Sequence, residues 1–139
     1  MKGSIVGLWL LTAVITLNLK VNSEVVGYRL SRYIRPSFYN LSINIQDDAS
    51  NPGTTFNGEV AITLQSNQSN LLEITLHNRL LNITRCLLYN KDGRLQQDIA
   101  AGQLRYNNET ELLTVPLLQP LIANANYTLY FKYSGESKI

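Results

Sequence analysis

From Phe38 to Ile45 the chain alternates strictly, with Tyr39, Leu41, Ile43 and Ile45 on one side and Asn40, Ser42 and Asn44 on the other. A period of two predicts a half-buried β-strand. Pro36, which has no N–H for a sheet ladder, suits the start of that strand. The period returns at Phe56–Leu64, where Val60, Ile62 and Leu64 alternate with Glu59, Ala61 and Thr63. It returns again where Leu72, Ile74 and Leu76 form an inward row against Glu73, Thr75 and His77. A last strand is predicted where Tyr127, Leu129, Phe131 and Tyr133 alternate with Thr128, Tyr130 and Lys132. Shorter apolar runs at Leu80–Thr84, Cys86–Tyr89, Leu104–Tyr106 and Leu112–Val115 also read as strands, and no stretch carries a convincing helical period.

The segments between these runs are rich in turn formers. Gln46–Thr55 reads as a polar loop leading into a hairpin, and Gln65–Asn70 as a turn. Asn90-Lys91-Asp92-Gly93 carries the Asp-Gly hairpin signal, and Asn107–Glu111 predicts a second hairpin tip. Pro116 and Pro120 bracket an expected loop. Arg94–Gly102 fits either a strand or a short irregular connection, and its pattern decides neither. Strands of period two separated by turn signals imply a meander of antiparallel sheet, hence an all-β sandwich. No internal repeat, low-complexity tract or second domain interrupts it.

The first 23 residues differ in kind. Lys2 supplies a basic start, Ile5–Leu17 an apolar run, and Val21-Asn22-Ser23 a cleavage site before Glu24, the layout of a secretory signal peptide. The apolar run is shorter than the roughly 20 residues that span a membrane. An uncleaved anchor is the alternative, and Asn18 and Lys20 interrupt it. The expected organisation is a signal at residues 1–23 and one β-sandwich at 24–139, in the secretory pathway and then outside the cell or at its surface. The formal charge of +2 vanishes with Lys2 and Lys20. A neutral mature chain gives no reason to expect nucleic acid or an anionic membrane as partner. Arg29, Arg32 and Arg35, interleaved with Tyr28 and Tyr33, read as a solvated lead-in segment.

Candidate chemistry is sparse. Cys86 is the only cysteine, so no intrachain disulfide forms, and its apolar context reads as a buried structural thiol. The only tryptophan, Trp9, lies in the leader, and without a cysteine pair an immunoglobulin domain is disfavoured. Asp47 and Asp48 lack further ligands beside them and read as a solvated loop. No Gly-x-Ser-x-Gly elbow or phosphate loop is present. The best-supported chemical positions are acceptors for N-glycosylation, Asn-x-Ser/Thr at Asn40, Asn67, Asn82, Asn108 and Asn126. Strand parity puts Asn40 with Ser42, Asn82 with Thr84, and Asn126 with Thr128 on one face each, a face that must be solvated if glycans sit on it.

Several stretches together resemble one family. Tyr28-Arg29-Leu30, Arg35-Pro36 and Tyr39-x-Leu41-x-Ile43 are similar to the start of the mature ectodomain in M1-family zinc aminopeptidases of the aminopeptidase N-like group. Phe56–Ile62, Ile74–His77 and Tyr127–Gly135 follow in that family's order. Ser31 departs from the proline usual there. The resemblance implies the saddle-like N-terminal β-sandwich of those enzymes, which packs on the zinc domain and walls one side of the substrate cleft. It covers nearly all of residues 24–139, yet only the first part of a family protein, before the catalytic domain. If the sandwich is incomplete and lacks its closing strands, Tyr127–Tyr133 becomes an uncovered edge.

Catalysis in the family needs a His-Glu-x-x-His helix with a later glutamate, and a Gly-x-Met-x-Asn stretch. This chain has one histidine, His77, and one methionine, Met1, too few ligands for an open zinc site. The expectation is a chain with no catalytic, cofactor or metal residues, zinc belonging to the missing catalytic domain. Its partner would be the rest of an aminopeptidase, with contact to a membrane only through an uncleaved signal or an anchored full-length protein. The alternative is a stand-alone secreted, glycosylated β-sandwich that binds an unknown extracellular protein or carbohydrate through its loops.

Overall fold

The computed structural model describes residues 27, 29–48 and 51–137. The predicted signal peptide at residues 1–23 lies outside them. The fold is an antiparallel β-sandwich of eight strands: β1 (Ile34–Asp48), β2 (Asn51–Ser66), β3 (Leu71–His77), β4 (Leu81–Tyr89), β5 (Leu95–Ile99), β6 (Arg105–Asn107), β7 (Leu112–Leu121) and β8 (Asn126–Glu136). One sheet has the order β1-β2-β8-β4-β5, the other β3-β7-β6. The expected meander is thus replaced by crossovers. β2 hands the chain to the second sheet, and the final strand returns to pair between β2 and β4.

That return overturns the expectation of an uncovered edge at Tyr127–Tyr133, since β8 is the middle strand of five. Alternation reports which side chains share a face but not which strand lies beside which. Phe131 and Leu129 of β8 are accordingly buried, together with Ile62 and Leu64 of β2 and Cys86 and Leu88 of β4. Ile74, Leu113 and Val115 cover them from the three-stranded sheet. Each such side chain removed from water contributes roughly 1.5–3 kcal/mol before entropy is set against it.

Other departures have local causes. The expected loop Gln46–Thr55 is mostly strand, because β1 and β2 remain paired out to Asp48 opposite Asn51. Leu72 leaves the inward row through an irregularity between Leu71 and Glu73, so that Leu71 packs on the core instead. Leu80–Thr84 begins one residue late, with Leu80 at φ 59° in the preceding turn; it joins Cys86–Tyr89 through a bulge at Thr84. Arg94–Gly102 resolves into β5 and a 3-10 turn at Ala101–Gln103.

Pro116 and Pro120 lie within strand β7 rather than bracketing a loop. β6 pairs only with Leu112–Thr114, so β7 has one neighbour from Val115 onward, and its pairing to β3 is irregular between Pro116 and Leu121. An edge with a bulge is where a strand tolerates proline. Gln97 ties this segment to the other sheet. Its Nε2 donates to the Pro116 carbonyl at 3.3 Å, and its Oε1 accepts from Leu118 N–H at 3.0 Å.

Two predicted turns form as read. Asn90 Oδ1 accepts from the N–H groups of Asp92 and Arg94, each at 3.0 Å, with Gly93 at φ 75°. Asn107 Oδ1 accepts from Glu109 and Thr110 N–H at 3.0 and 3.2 Å. Gly58 stands opposite Tyr133 in the β2–β8 pair, and a Cβ there would come within 2.5 Å of the tyrosine ring. The vacancy lets Tyr133 lie across β2 and meet Phe56 edge-to-face, with ring centroids 6.5 Å apart.

Candidate functional site

The five-stranded sheet is wider than the three-stranded one that covers it. Tyr39, Leu41, Ile43 and Ile45 of β1 are opposite Ile62, Val60, Gly58 and Phe56 of β2, on the core side of the sheet. They are nevertheless 57, 56, 53 and 70% exposed. The expected half-buried row exists in register but nothing among the described residues lies over it. Burial of a strand face depends on a second layer, which alternation cannot report.

Beside this row the two sheets part into a groove of about 460 Å³. Its walls include Leu30, Ile34, Tyr39, Leu76, Leu81 and Tyr133, and its polar rim includes His77 and Asn78. Asn78 is anchored by its N–H to the Glu111 carbonyl at 2.8 Å and by Nδ2 to the Leu81 carbonyl at 3.1 Å. Its Oδ1 is buried without a partner. The groove is lined mainly by apolar side chains, with Ser31, Thr75, His77 and Asn78 as its polar residues. Sequence reading missed Asn78, Leu76 and Leu81 as groove residues; the only trace of them was their position at a strand end beside a turn.

The residues weighed for catalysis are scattered. His77 is exposed at the end of β3, and Cys86 is wholly buried in β4. Burial, with the Asp98 charge adding to it, pushes the Cys86 thiol up to about 12 from 9.0, the reverse of nucleophile activation. Among the described residues no three His, Cys, Asp or Glu side chains stand close enough to share a metal ion. Arg29, Arg32 and Arg35 are exposed. Asp47 and Asp48 fall in β1, but their side chains lie outside what is described.

All five sequon asparagines are exposed. Asn40 pairs with Ala61, Asn82 with Ser134, and Asn126 with Gln65, all on the outer face of the five-stranded sheet. Asn67 and Asn108 sit in the β2–β3 and β6–β7 turns instead. Asn67 Nδ2 donates to the Arg32 carbonyl at 3.1 Å, and Thr110, the hydroxyl residue of the Asn108 sequon, is buried with its Oγ1 unpartnered. Among the described residues no helix is long and apolar enough to cross a membrane.

Compared with known families, residues 35–138 match the one described as the Peptidase M1 N-terminal domain. No curated protein matches the sequence.

Proposed function

The chain belongs to the Peptidase M1 N-terminal domain family, and on that premise we propose that it is a non-catalytic module of a secreted or cell-surface metalloaminopeptidase, acting by docking on the enzyme's other domain. The uncovered apolar row of β1, continuous with the groove between the sheets, carries this reading. A module designed to stand alone would be expected to hide Leu41, Ile43 and Ile45, because contiguous apolar surface on a soluble protein marks an interaction site. The neighbouring domain is the occupant that family membership favours.

The zinc that the family implies does not fit these residues. Its usual ligands are imidazole, thiolate and carboxylate, whereas among the described residues the one histidine stands at a strand end with no cluster of further ligands, and the one thiol is buried and held protonated. No chemical step is therefore assigned to this chain. The leader at residues 1–23 supports passage through the secretory pathway, and the neutral mature charge leaves nucleic acid without an attraction. The test is to incubate the purified full chain with peptides bearing a free amino terminus. No release of N-terminal residues is expected; release that a zinc chelator abolishes would overturn the reading.

A further inference from the structure

The outer face of the five-stranded sheet carries three of the five sequons in a regular arrangement. Along β8, Asn126 itself marks one row. Asn40 lies in the row of Tyr130, through Ala61 of β2, and Asn82 lies in the row of Ser134. The rows are therefore four residues apart on the central strand, a spacing of about 13 Å at strand rise. One attachment point falls at each end of the face and one in the middle. The residue between the two ends of each sequon turns the other way: Ile83 and Tyr127 are buried, and Leu41 faces the groove side.

Much of the rest of this face is polar, with Leu87 and Tyr130, paired across β4 and β8, as its apolar exception. Glu59 and Lys132, directly paired across β2 and β8, form an ion pair at 3.2 Å, and Ser134 and Thr128 lie on the same side. Among the described residues no hydrogen bond uses the side-chain amide of Asn40, Asn82 or Asn126. Asn67, whose Nδ2 is committed to Arg32, and Asn108, whose sequon threonine is buried, are placed less favourably.

We propose that Asn40, Asn82 and Asn126 carry N-linked glycans that together shield the outer face of the five-stranded sheet and leave the apolar row and groove on the opposite side bare. This rests on the secretory reading above. At each site Nδ2 bonds to the anomeric carbon of an oligosaccharide supplied as a lipid pyrophosphate. The bond from that carbon to the pyrophosphate oxygen breaks, the lipid pyrophosphate leaves with the electron pair, and the amide proton is lost. One N–H remains on Nδ2. With the polar face covered, only the groove side is free to meet another domain.

The test is translation of the full chain with endoplasmic-reticulum microsomes, followed by protease protection and endoglycosidase digestion. The expected product is protected and runs as a ladder that collapses on deglycosylation. Asn40→Gln, Asn82→Gln and Asn126→Gln each remove one step, and the triple variant removes three. Ser42→Ala and Thr128→Ala, which keep the asparagine, remove the same steps as Asn40→Gln and Asn126→Gln. The ladder is read without any need for the variants to fold. A protected chain with no glycan, or a triple variant with an undiminished ladder, overturns the proposal while secretion stands. A chain left unprotected overturns the secretory reading and this proposal with it.

Discussion

Cys86 shows how one buried side chain couples to the solvent. Its thiol is fully enclosed between Leu88 and Ile83 on β4, and its folded pKa of about 12 lies above the unfolded 9.0. Below pH 9 the thiol is protonated in both states and its contribution to stability is complete. As pH climbs toward 12 the unfolded chain ionises while the folded one does not, so stability is lost. Tyr106, Tyr130 and Tyr133 are also raised by desolvation from 10.0 and add to the loss in the same direction at higher pH. The denaturant midpoint should hold up to pH 9 and then fall. Cys86→Ala should lower stability throughout but delay the onset of that fall to the tyrosine range, as urea titrations at successive pH values would show. Identical pH profiles for the two proteins would refute the assignment. At this scale much was legible: the buried thiol followed from Leu87 and Leu88 beside it, and the Asn90 and Asn107 turns from residue type alone. The orphaned Oδ1 of Asn78 was not, because an unmet acceptor is a property of neighbours far away in sequence.

Among the elements, β1 departs furthest from expectation. Its alternation is as regular as that of β2, yet β2 buries Ile62 and Leu64 whereas β1 exposes its corresponding residues. The difference is position, since β1 is an edge strand beyond the reach of β3, β7 and β6. The association hazard expected of the last strand therefore belongs to the first. An edge with unpaired backbone groups and a row of Leu and Ile invites pairing with another chain. Ile43→Lys should raise the monomer fraction of the isolated chain in light scattering while changing stability by no more than about 0.5 kcal/mol. The same lysine at Leu129, wholly buried in β8, should prevent folding. If Ile43→Lys leaves association unchanged, the sticky surface lies elsewhere. β7 teaches a related lesson: Pro116 and Pro120 looked like strand breakers, and only the shortness of β6 reveals why a strand can contain them.

Over the whole molecule, the two sheets share one core. Leu129 of the larger sheet and Leu113 of the smaller belong to the same cluster of buried residues, so neither sheet has an interior of its own. Leu129→Ala and Leu113→Ala should each cost about 2–5 kcal/mol and displace one common transition. Far-ultraviolet signal from backbone and near-ultraviolet signal from the buried rings of Tyr127 and Tyr133 should then move together. Separate transitions for the two signals would show that the sheets unfold independently. The outer polar face and the bare apolar side are also properties at this scale, since each is assembled from strands distant in sequence.

By itself the sequence determined the all-β class, the faces of most strands, the tight turns and the sequon parity. All of these are set by residue type and local spacing, and local spacing survives whatever the chain does next. Tertiary structure alone decided that β8 is central, that β1 is an edge left uncovered among the described residues, that two prolines lie within a strand and that a groove opens beside Asn78. These depend on which strands become neighbours, and that is settled by the competition among apolar faces for a single core.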